Sequence, residues 1–157
     1  MCAAIPSPAM QEALLSKYNV PSEIAAHGKA VAQCALEMAA QLPRPVDVPL
    51  MEAACCLHDI ARGQPDHARA GGVLLIQEGF PDVGNLVAQH HDLPEDASPE
   101  ASLLYLADKL VRGTCRVTLE ERFAASLEKC ATPEALSAWQ RRRDRAFRIV
   151  RDFQLSL

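Results

Sequence analysis

The sequence predicts an all-α fold, a single domain over residues 1–157 built as a bundle of about seven to eight helices. Three observations lead to this prediction. The chain is 49% hydrophobic but only 4% aromatic, and its apolar residues are mostly Ala, Leu and Val, which suit helices better than sheets. Prolines and capping residues recur where helices could begin. Apolar residues then follow at steps of three and four, the spacing of one buried helical face.

The predicted helices begin at capping signals. Ser7-Pro8, Ser98-Pro99 and Thr132-Pro133 each place a side-chain oxygen before a proline that suits the first helical turn. Thr118 and Glu121 have the spacing of a capping box, in which each side chain binds a free backbone N–H group of the first turn. Three more prolines stand just ahead of helical patterns, namely Pro21, Pro49 and Pro81.

Apolar spacing extends each start into a helix. In the second segment the buried face consists of Ile24, Val31, Ala35, Met38 and Leu42. The predicted helices are 8–18, 22–42, 49–61, 66–78, 81–91, 99–112, 119–130 and 133–153. The predicted loops are 43–48, 62–65, 92–98 and 113–117, and no segment shows the alternation of a strand.

Charge and composition narrow the partners. A net charge of -4 gives no general attraction to nucleic acid or to an anionic membrane. No apolar run reaches the roughly 18 residues of a membrane span, and the N-terminus shows no export signal, so we expect a cytoplasmic protein. The six cysteines form no CxxC pair, and we expect them to be reduced and mostly buried. They are Cys2, Cys34, Cys55, Cys56, Cys115 and Cys130.

The histidines are the candidate functional residues. His27 falls within the second predicted helix, and Asp108 within the sixth, each interrupting an apolar face. The remaining candidates lie at the ends of predicted helices: His58 and Asp59 end the third, His67 opens the fourth, and His90 and His91 end the fifth. A buried carboxylate is costly unless it is paired or bound to a cation, and helical bundles build metal sites from inward-facing imidazoles and carboxylates. Mixed nitrogen and oxygen ligands suit Fe, Mn, Zn, Ni or Co.

Each candidate ligand, taken alone, could also have a structural role that involves no metal ion. His27 could be a hydrogen-bonded core histidine, and the pair His90-His91 could be a solvated helix end. Asp108 could pair with Lys109 or Arg112. We favour a metal site because all of these interpretations would have to hold together.

The order His27, His58-Asp59, Asp108 resembles the H…HD…D signature of the HD superfamily of metal-dependent phosphohydrolases. The surrounding segments Leu-His-Asp-Ile-Ala-Arg and Tyr-Leu-Ala-Asp-Lys-Leu resemble it too. The resemblance covers about residues 20–115, and we expect helices 119–153 to pack on that core. It implies that these four residues bind one metal ion, with Asp59 able to bridge to a second.

Three further histidines lie in the interval where HD subgroups with two metals carry extra ligands: His67, His90 and His91. Their segments resemble those of HD-GYP proteins and of HD enzymes that cleave dinucleoside polyphosphates. The resemblance therefore implies one or two divalent ions, with Fe or Mn favoured and Ni, Co, Zn or Mg as alternatives. No Gly-Tyr-Pro follows His91, and His67 is only eight residues from Asp59, which is closer than in those subgroups. The substrate therefore stays unassigned.

The expected activity is hydrolysis of a phosphoester bond in a small molecule, a nucleotide or a related compound, by metal-activated water. Asp59 would orient the water. Arg62 follows the HD pair by one helical turn, where many relatives have lysine, and is the first candidate for contact with the phosphate. Lys109 is a candidate catalytic and substrate-binding residue and Arg112 a substrate-binding one, with ordinary solvated charge as the alternative. Asp66 and Asp92 could orient neighbouring histidines, but surface positions are favoured for both.

Two other functions stay open on the sequence. One is a regulatory module that binds metal or nucleotide without turnover, and the other is a diiron oxygenase of HD type, which the basic residues disfavour. The last helix carries six arginines between Arg141 and Arg151. They could form an interaction patch, but we favour a solvated face with pairs from Arg148 to Asp144 and Asp152. A homo-oligomer is compatible with the sequence.

Overall fold

The computed structural model describes residues 4–157, so Cys2 lies outside the described residues. It confirms the all-α prediction. In that part of the chain the helices are α1 (Pro8–Lys17), α2 (Ser22–Ala39), α3 (Val48–Leu57), α4 (His67–Gln77), α5 (Pro81–Ala88), α6 (Pro99–Lys109), α7 (Leu119–Leu127) and α8 (Pro133–Asp152). Two short strands, β1 (Val111–Arg112) and β2 (Cys115–Arg116), lie between α6 and α7.

The helices begin within one residue of the predicted positions, because the capping side chains act as expected. Ser7, Ser98 and Thr132 each accept a hydrogen bond from the backbone N–H group three residues later. Both halves of the capping box form between Thr118 and Glu121. These contacts satisfy N–H groups that have no partner inside the helix.

The predicted ends of five helices are wrong by three or four residues: 22–42, 49–61, 81–91, 99–112 and 119–130. Apolar spacing continues past each true end, but the backbone there changes to tighter turns. After α3 the N–H group of Ile60 bonds to the carbonyl of Leu57, three residues back, instead of four as in an α-helix. His58 and Asp59 therefore follow the third helix, and His90 and His91 follow the fifth.

The chain contains a small hairpin, so the prediction of no strand is wrong. The prediction of a loop over 113–117 is wrong for the same reason, since strand β2 lies within it. Val111 pairs with Arg116 and Arg112 pairs with Cys115 in antiparallel register. Gly113 turns the chain with φ of 59°, a conformation that glycine adopts without steric cost. Strands of two residues are too short to show alternation in a sequence.

The core lies where α2, α3, α5 and α6 meet. α6 is buried almost throughout, from Ala101 to Ala107, so Asp108 stands at the end of the most enclosed helix. α4 and α5 pack against each other, and α8 contacts both α6 and α7. Trp139, Phe147, Val150 and Phe153 pack against the core, as the sequence predicts for the last helix. No helix among residues 4–157 combines the length and apolar character of a membrane span.

The arginines of α8 are paired differently from the prediction. Arg148 donates to Glu95 Oε1 over 2.9 Å, not to Asp144 or Asp152. Arg145 also binds Glu95, and Arg142 forms a two-pronged pair with Asp92. The pairs join α8 to the segment that follows α5, because that segment carries the nearest carboxylates.

Candidate metal centre

The structure brings all seven predicted ligands into one cluster. His27 comes from α2, Asp108 from the end of α6, and His67 from the first position of α4. The turns after α3 and α5 supply the other four, His58, Asp59, His90 and His91. Five separate segments of the chain therefore contribute to one site.

The imidazole rings form a continuous chain. Ring centroids are 5.3 Å apart for His27 and His58, and 5.0 Å apart for His58 and His90. The distance from His90 to His91 is 4.3 Å, and that from His91 to His67 is 4.4 Å. All five histidines of the protein thus lie side by side.

Three of these rings are oriented in the same way, by a hydrogen bond of 2.7 Å from Nδ1 to a backbone carbonyl. The pairs are His27 with Gly113, His58 with Cys55, and His90 with Val87. A carbonyl oxygen only accepts, so Nδ1 carries the proton in each ring. Nε2 then faces the cluster, which is how metal-ligating histidines are usually held.

Two of the inward-facing nitrogens have no hydrogen-bond partner. Nε2 of His58 and Nε2 of His90 are buried and unsatisfied among the described residues. Nε2 of His58 lies 3.3 Å from Asp108 Oδ1 and 3.5 Å from Asp59 Oδ2, but it is not aligned for a hydrogen bond with either. An unsatisfied buried nitrogen costs free energy, and a bound cation would remove that cost, so these residues fit a metal ion.

Asp59 stands between two groups of ligands. Its Oδ1 atom lies 3.1 Å from His67 Nε2 and 3.8 Å from His90 Nε2. Its Oδ2 atom lies 3.5 Å from His58 Nε2 and 2.7 Å from Nη1 of Arg62. A carboxylate with its two oxygens turned to different groups has the arrangement that a bridging ligand requires.

The ligand atoms divide into sets compact enough for one ion each. Within each set the candidate atoms lie within 4.8 Å of one another. The sets are His27, His58 and Asp108; His67, His90 and His91; and, between them, His58, Asp59 and His90. The middle set shares members with both of the others.

Burial and charge set the protonation of the cluster. Burial lowers the pKa of His90 to about 3 and that of His91 to about 4, so both rings are neutral at pH 7. Burial opposes charge on His58 as well, but the Asp108 and Asp59 carboxylates raise its pKa to about 9. Despite its burial, Asp108 has its pKa held well below the usual value by His27 and His58. A metal ion at His58 would therefore displace a proton.

A family model of the HD domain matches residues 24–113, which is more than half of the chain. The chain belongs to the HD domain family. This result confirms the resemblance seen in the sequence, and the HD family is one of metal-dependent phosphohydrolases. No curated protein and no solved structure matches the chain. Helices α7 and α8 lie beyond the part that matches the HD domain.

The predicted basic residues of this HD domain occupy three different environments. Arg62 is 54% exposed and donates to Asp59. Lys109 is buried, with Nζ 3.4 Å from the ring centroid of Tyr105, and burial lowers its pKa to about 7. Arg112 is exposed on strand β1 and lines the cavity over the metal centre.

That cavity has a volume of about 560 Å³ and includes two basic residues that the sequence analysis missed, Arg122 and Lys129. Arg122 donates to the backbone carbonyls of Asp108 and Val111, over 3.2 and 3.4 Å. Together with Ser126 these residues have spacings of four and three, which places them on one helical face. The spacing was visible in the sequence, but nothing local showed that this face covers the histidines.

Asp66 and Asp92 lie at the surface, which is the position that the sequence analysis favours for both. Asp92 is held by Arg142. Asp66 is exposed, precedes α4 in a left-handed conformation and caps no N–H group. Neither has a hydrogen bond to a histidine within residues 4–157.

Proposed function

We propose that this HD domain is a metal-dependent phosphohydrolase that cleaves a phosphoester bond of a small molecule, a nucleotide or a related compound. The observation that carries the proposal is the pair of buried Nε2 atoms, on His58 and His90, that face Asp59 without hydrogen-bond partners. Buried polar groups in folded proteins are nearly always satisfied. Two such nitrogens beside one carboxylate are most simply explained as ligands.

The residues divide naturally between two ions. His27, His58 and Asp108 would hold one, His67, His90 and His91 the other, and Asp59 would serve both. The nitrogen and oxygen donors suit Fe or Mn, with Ni, Co, Zn and Mg as alternatives. Such ions, when bound, supply positive charge for the phosphoryl oxygens and make water nucleophilic near neutral pH.

The protein's own groups would orient water and substrate. Asp59 is buried, and the charges of His58 and Arg62 lower its pKa in spite of that burial, so it is available to accept a hydrogen bond from water. Arg62 uses one donor on Asp59, and its exposed guanidinium has others for a phosphate oxygen. Arg112 would add charge at the cavity rim. Lys109, in the adjoining pocket with His91 and Asp108, would add an N–H donor from the side of α8.

Two observations favour this function over the alternatives. A regulatory module has no need of a complete ligand set, yet all seven ligands are present and clustered. A diiron oxygenase has no need of phosphate-binding charge, whereas Arg62, Arg112 and Arg122 line the cavity. A cytoplasmic location, a phosphorylated small-molecule partner, self-association and the lack of general nucleic-acid binding stay predictions.

Metal analysis combined with a screen of nucleotides and phosphoesters tests the proposal. We expect two equivalents of Fe or Mn in the purified protein, and none after Asp59→Ala. Turnover should fall by at least about a hundredfold in that variant, since even partners that only orient ligands contribute 10–100-fold. Circular dichroism should show an unchanged helical content. Asp66→Asn is the matched control, and it should keep both the metal and the activity.

The variant His91→Ala separates one ion from two. It removes a ligand from only one set, so we expect one equivalent of metal to remain. A single equivalent in the wild-type protein would remove His67, His90 and His91 from the ligand set. Full turnover by Asp59→Ala would overturn the proposed function.

A further inference from the structure

The unpaired positive charges of the protein are concentrated near the metal centre. All sixteen lysines and arginines lie within residues 4–157, and nine of them have a carboxylate partner within 4.0 Å. The seven without such a partner are Arg44, Arg69, Lys109, Arg112, Arg122, Lys129 and Arg141. Four of these seven line the cavity over the histidines or the pocket beside it. The same cavity also contains the carboxylates of Glu23, Asp59 and Asp108, so attraction for anions is expected at the basic residues themselves and not over the cavity as a whole.

One face of α7 and the turn after it carries part of this charge. Arg122, Ser126 and Lys129 line both the cavity of about 560 Å³ and the adjoining pocket of about 360 Å³. His91 and Asp108 also line both. The two spaces therefore adjoin at the metal centre. Their volumes fall within the roughly 300–1,000 Å³ of small-molecule sites, which exceeds the needs of one phosphate group.

The two cations are held differently. The guanidinium of Arg122 is anchored by the carbonyls of Asp108 and Val111, which fixes its charge beside a predicted metal ligand. It retains further N–H donors. Lys129 is exposed, and its ammonium group has no hydrogen bond or ion pair among the described residues. One fixed and one free cation line the same pocket, and their combined charge matches the charge of about -2 on a phosphate group.

We infer that the α7 face is a subsite for a second phosphate group of the substrate, beyond the phosphate at the metal centre. Arg122 and Lys129 are the residues that determine this specificity, and both lie outside the segment that matches the HD domain, residues 24–113. The inference adds a binding site for a second phosphate group to the proposed function. It rests on that function, because the chain has a substrate only if it is an enzyme. The binding of anions at this face is nevertheless measurable without metal or turnover.

Trp139 provides a local signal for the test. It is the only tryptophan of the chain, and it lines the pocket that Arg122 and Lys129 share with the metal centre. Inorganic tripolyphosphate and orthophosphate are titrated into the full-length chain, after metal has been removed so that no ion competes for the probe. Tryptophan fluorescence and calorimetry then report Kd.

We expect tripolyphosphate to bind at least about ten times more tightly than orthophosphate. Lys129→Ala should raise the Kd for tripolyphosphate about tenfold, the equivalent of one charge-assisted hydrogen bond, and Lys129→Arg should restore it. Arg122→Lys is the second variant, chosen because it keeps a donor for the carbonyls of Asp108 and Val111. Arg69→Ala and Arg141→Ala remove unpaired arginines from other surfaces and should change Kd by less than about twofold.

An unchanged Kd in Lys129→Ala would overturn the subsite, as would equal binding of the two probes. A loss in Arg141→Ala as large as that in Lys129→Ala would assign the anion to the arginines of α8 and also overturn it. If Lys129→Ala weakens tripolyphosphate binding but the purified protein takes up no metal, the subsite stands and the proposed function fails. The two failures are thus distinguishable.

Discussion

At the scale of single residues, the turn that ends α3 also orients the imidazole ring of His58. If α3 continued to residue 61, as its apolar spacing predicts, the carbonyl of Cys55 would accept from the N–H of Asp59. The helix instead ends at Leu57, and this carbonyl accepts from Nδ1 of His58. His90 uses the carbonyl of Val87 in the same way. The sequence therefore predicts these candidate ligands, but not the turns that orient their side chains.

The reactivity of individual cysteine thiols tests the burial of single residues. Burial raises the pKa of Cys34 and of Cys56 to about 11, and that of Cys55 well above its usual value. At pH 8 a thiol of pKa 11 is ionised to only about one part in a thousand, and the thiolate is the reactive form. Cys115 is exposed. We therefore expect iodoacetamide to alkylate Cys115 well before Cys34, Cys55 and Cys56.

Mass spectrometry of peptides after timed alkylation measures these rates, in a Cys2→Ser background to keep the pattern simple. Unfolding in guanidinium should equalise the rates of the remaining cysteines. If Cys34 in the folded protein is alkylated as fast as Cys115, then Cys34 is not buried.

At the scale of elements, the starts of the helices were predictable to within one residue, whereas the ends of α2, α3, α5, α6 and α7 were not. A start depends on a capping side chain and a proline that are adjacent in sequence, as at Thr132-Pro133. An end depends on which groups compete for the last carbonyls, and at these five helices the competing groups belong largely to turns and to packing. The hairpin at 111–116 shows the same limit, because Gly113 both turns the chain and offers its carbonyl to His27.

The packing of α4 on α5 positions three of the seven candidate ligands. His67 opens α4, and His90 and His91 follow α5. The two helices approach closely through glycines, since a Cβ atom on Gly72 would lie 2.7 Å from the carbonyl oxygen of Gly84. Backbone cannot yield as a flexible side chain would, so a methyl group here must separate the helices.

We therefore predict that Gly72→Ala destabilises the protein by about 1–3 kcal/mol, the usual range for overpacking. It should also weaken the metal set of His67, His90 and His91 more than that of His27, His58 and Asp108. Urea unfolding measures the first effect, and metal analysis measures the second. Gln77→Ala, at an exposed position of the same helix, should leave both unchanged. Wild-type stability in Gly72→Ala would show that α4 and α5 are not in close contact.

At the scale of the whole molecule, the sequence identifies the candidate ligands, but only the fold shows which residues cover them. The H…HD…D order and the three extra histidines predict the cluster from the sequence. Arg122 and Lys129 were missed because their relation to the histidines exists only after α7 has packed over the end of α6. The pairing of Arg142, Arg145 and Arg148 was missed for the same reason, since their partners Asp92 and Glu95 lie about fifty residues away.

The distribution of ligands over five segments links metal binding to the stability of the entire fold. The set of His27, His58 and Asp108 comes from α2, α6 and the turn after α3, and the set of His67, His90 and His91 comes from α4 and the turn after α5. Two ions held by these sets, with Asp59 shared, would bind only when all five segments are in place. A ligand that binds only the folded state stabilises it by about 2.7 kcal/mol at a hundred times Kd. For a domain of this size each kcal/mol raises Tm by about 2–4 °C. Two such ions would together contribute about 5.4 kcal/mol, so we predict that Mn²⁺ at that excess raises Tm by roughly 10–20 °C, measured by calorimetry.

The rise in Tm should disappear with a chelator and in Asp59→Ala, and should persist in Asp66→Asn. His91→Ala should retain about half of it, because one set of ligands stays complete. A wild-type Tm that does not move while metal analysis shows bound Mn²⁺ would mean that the ion binds elsewhere, since an ion held by either set of ligands joins at least two segments that are distant in the sequence.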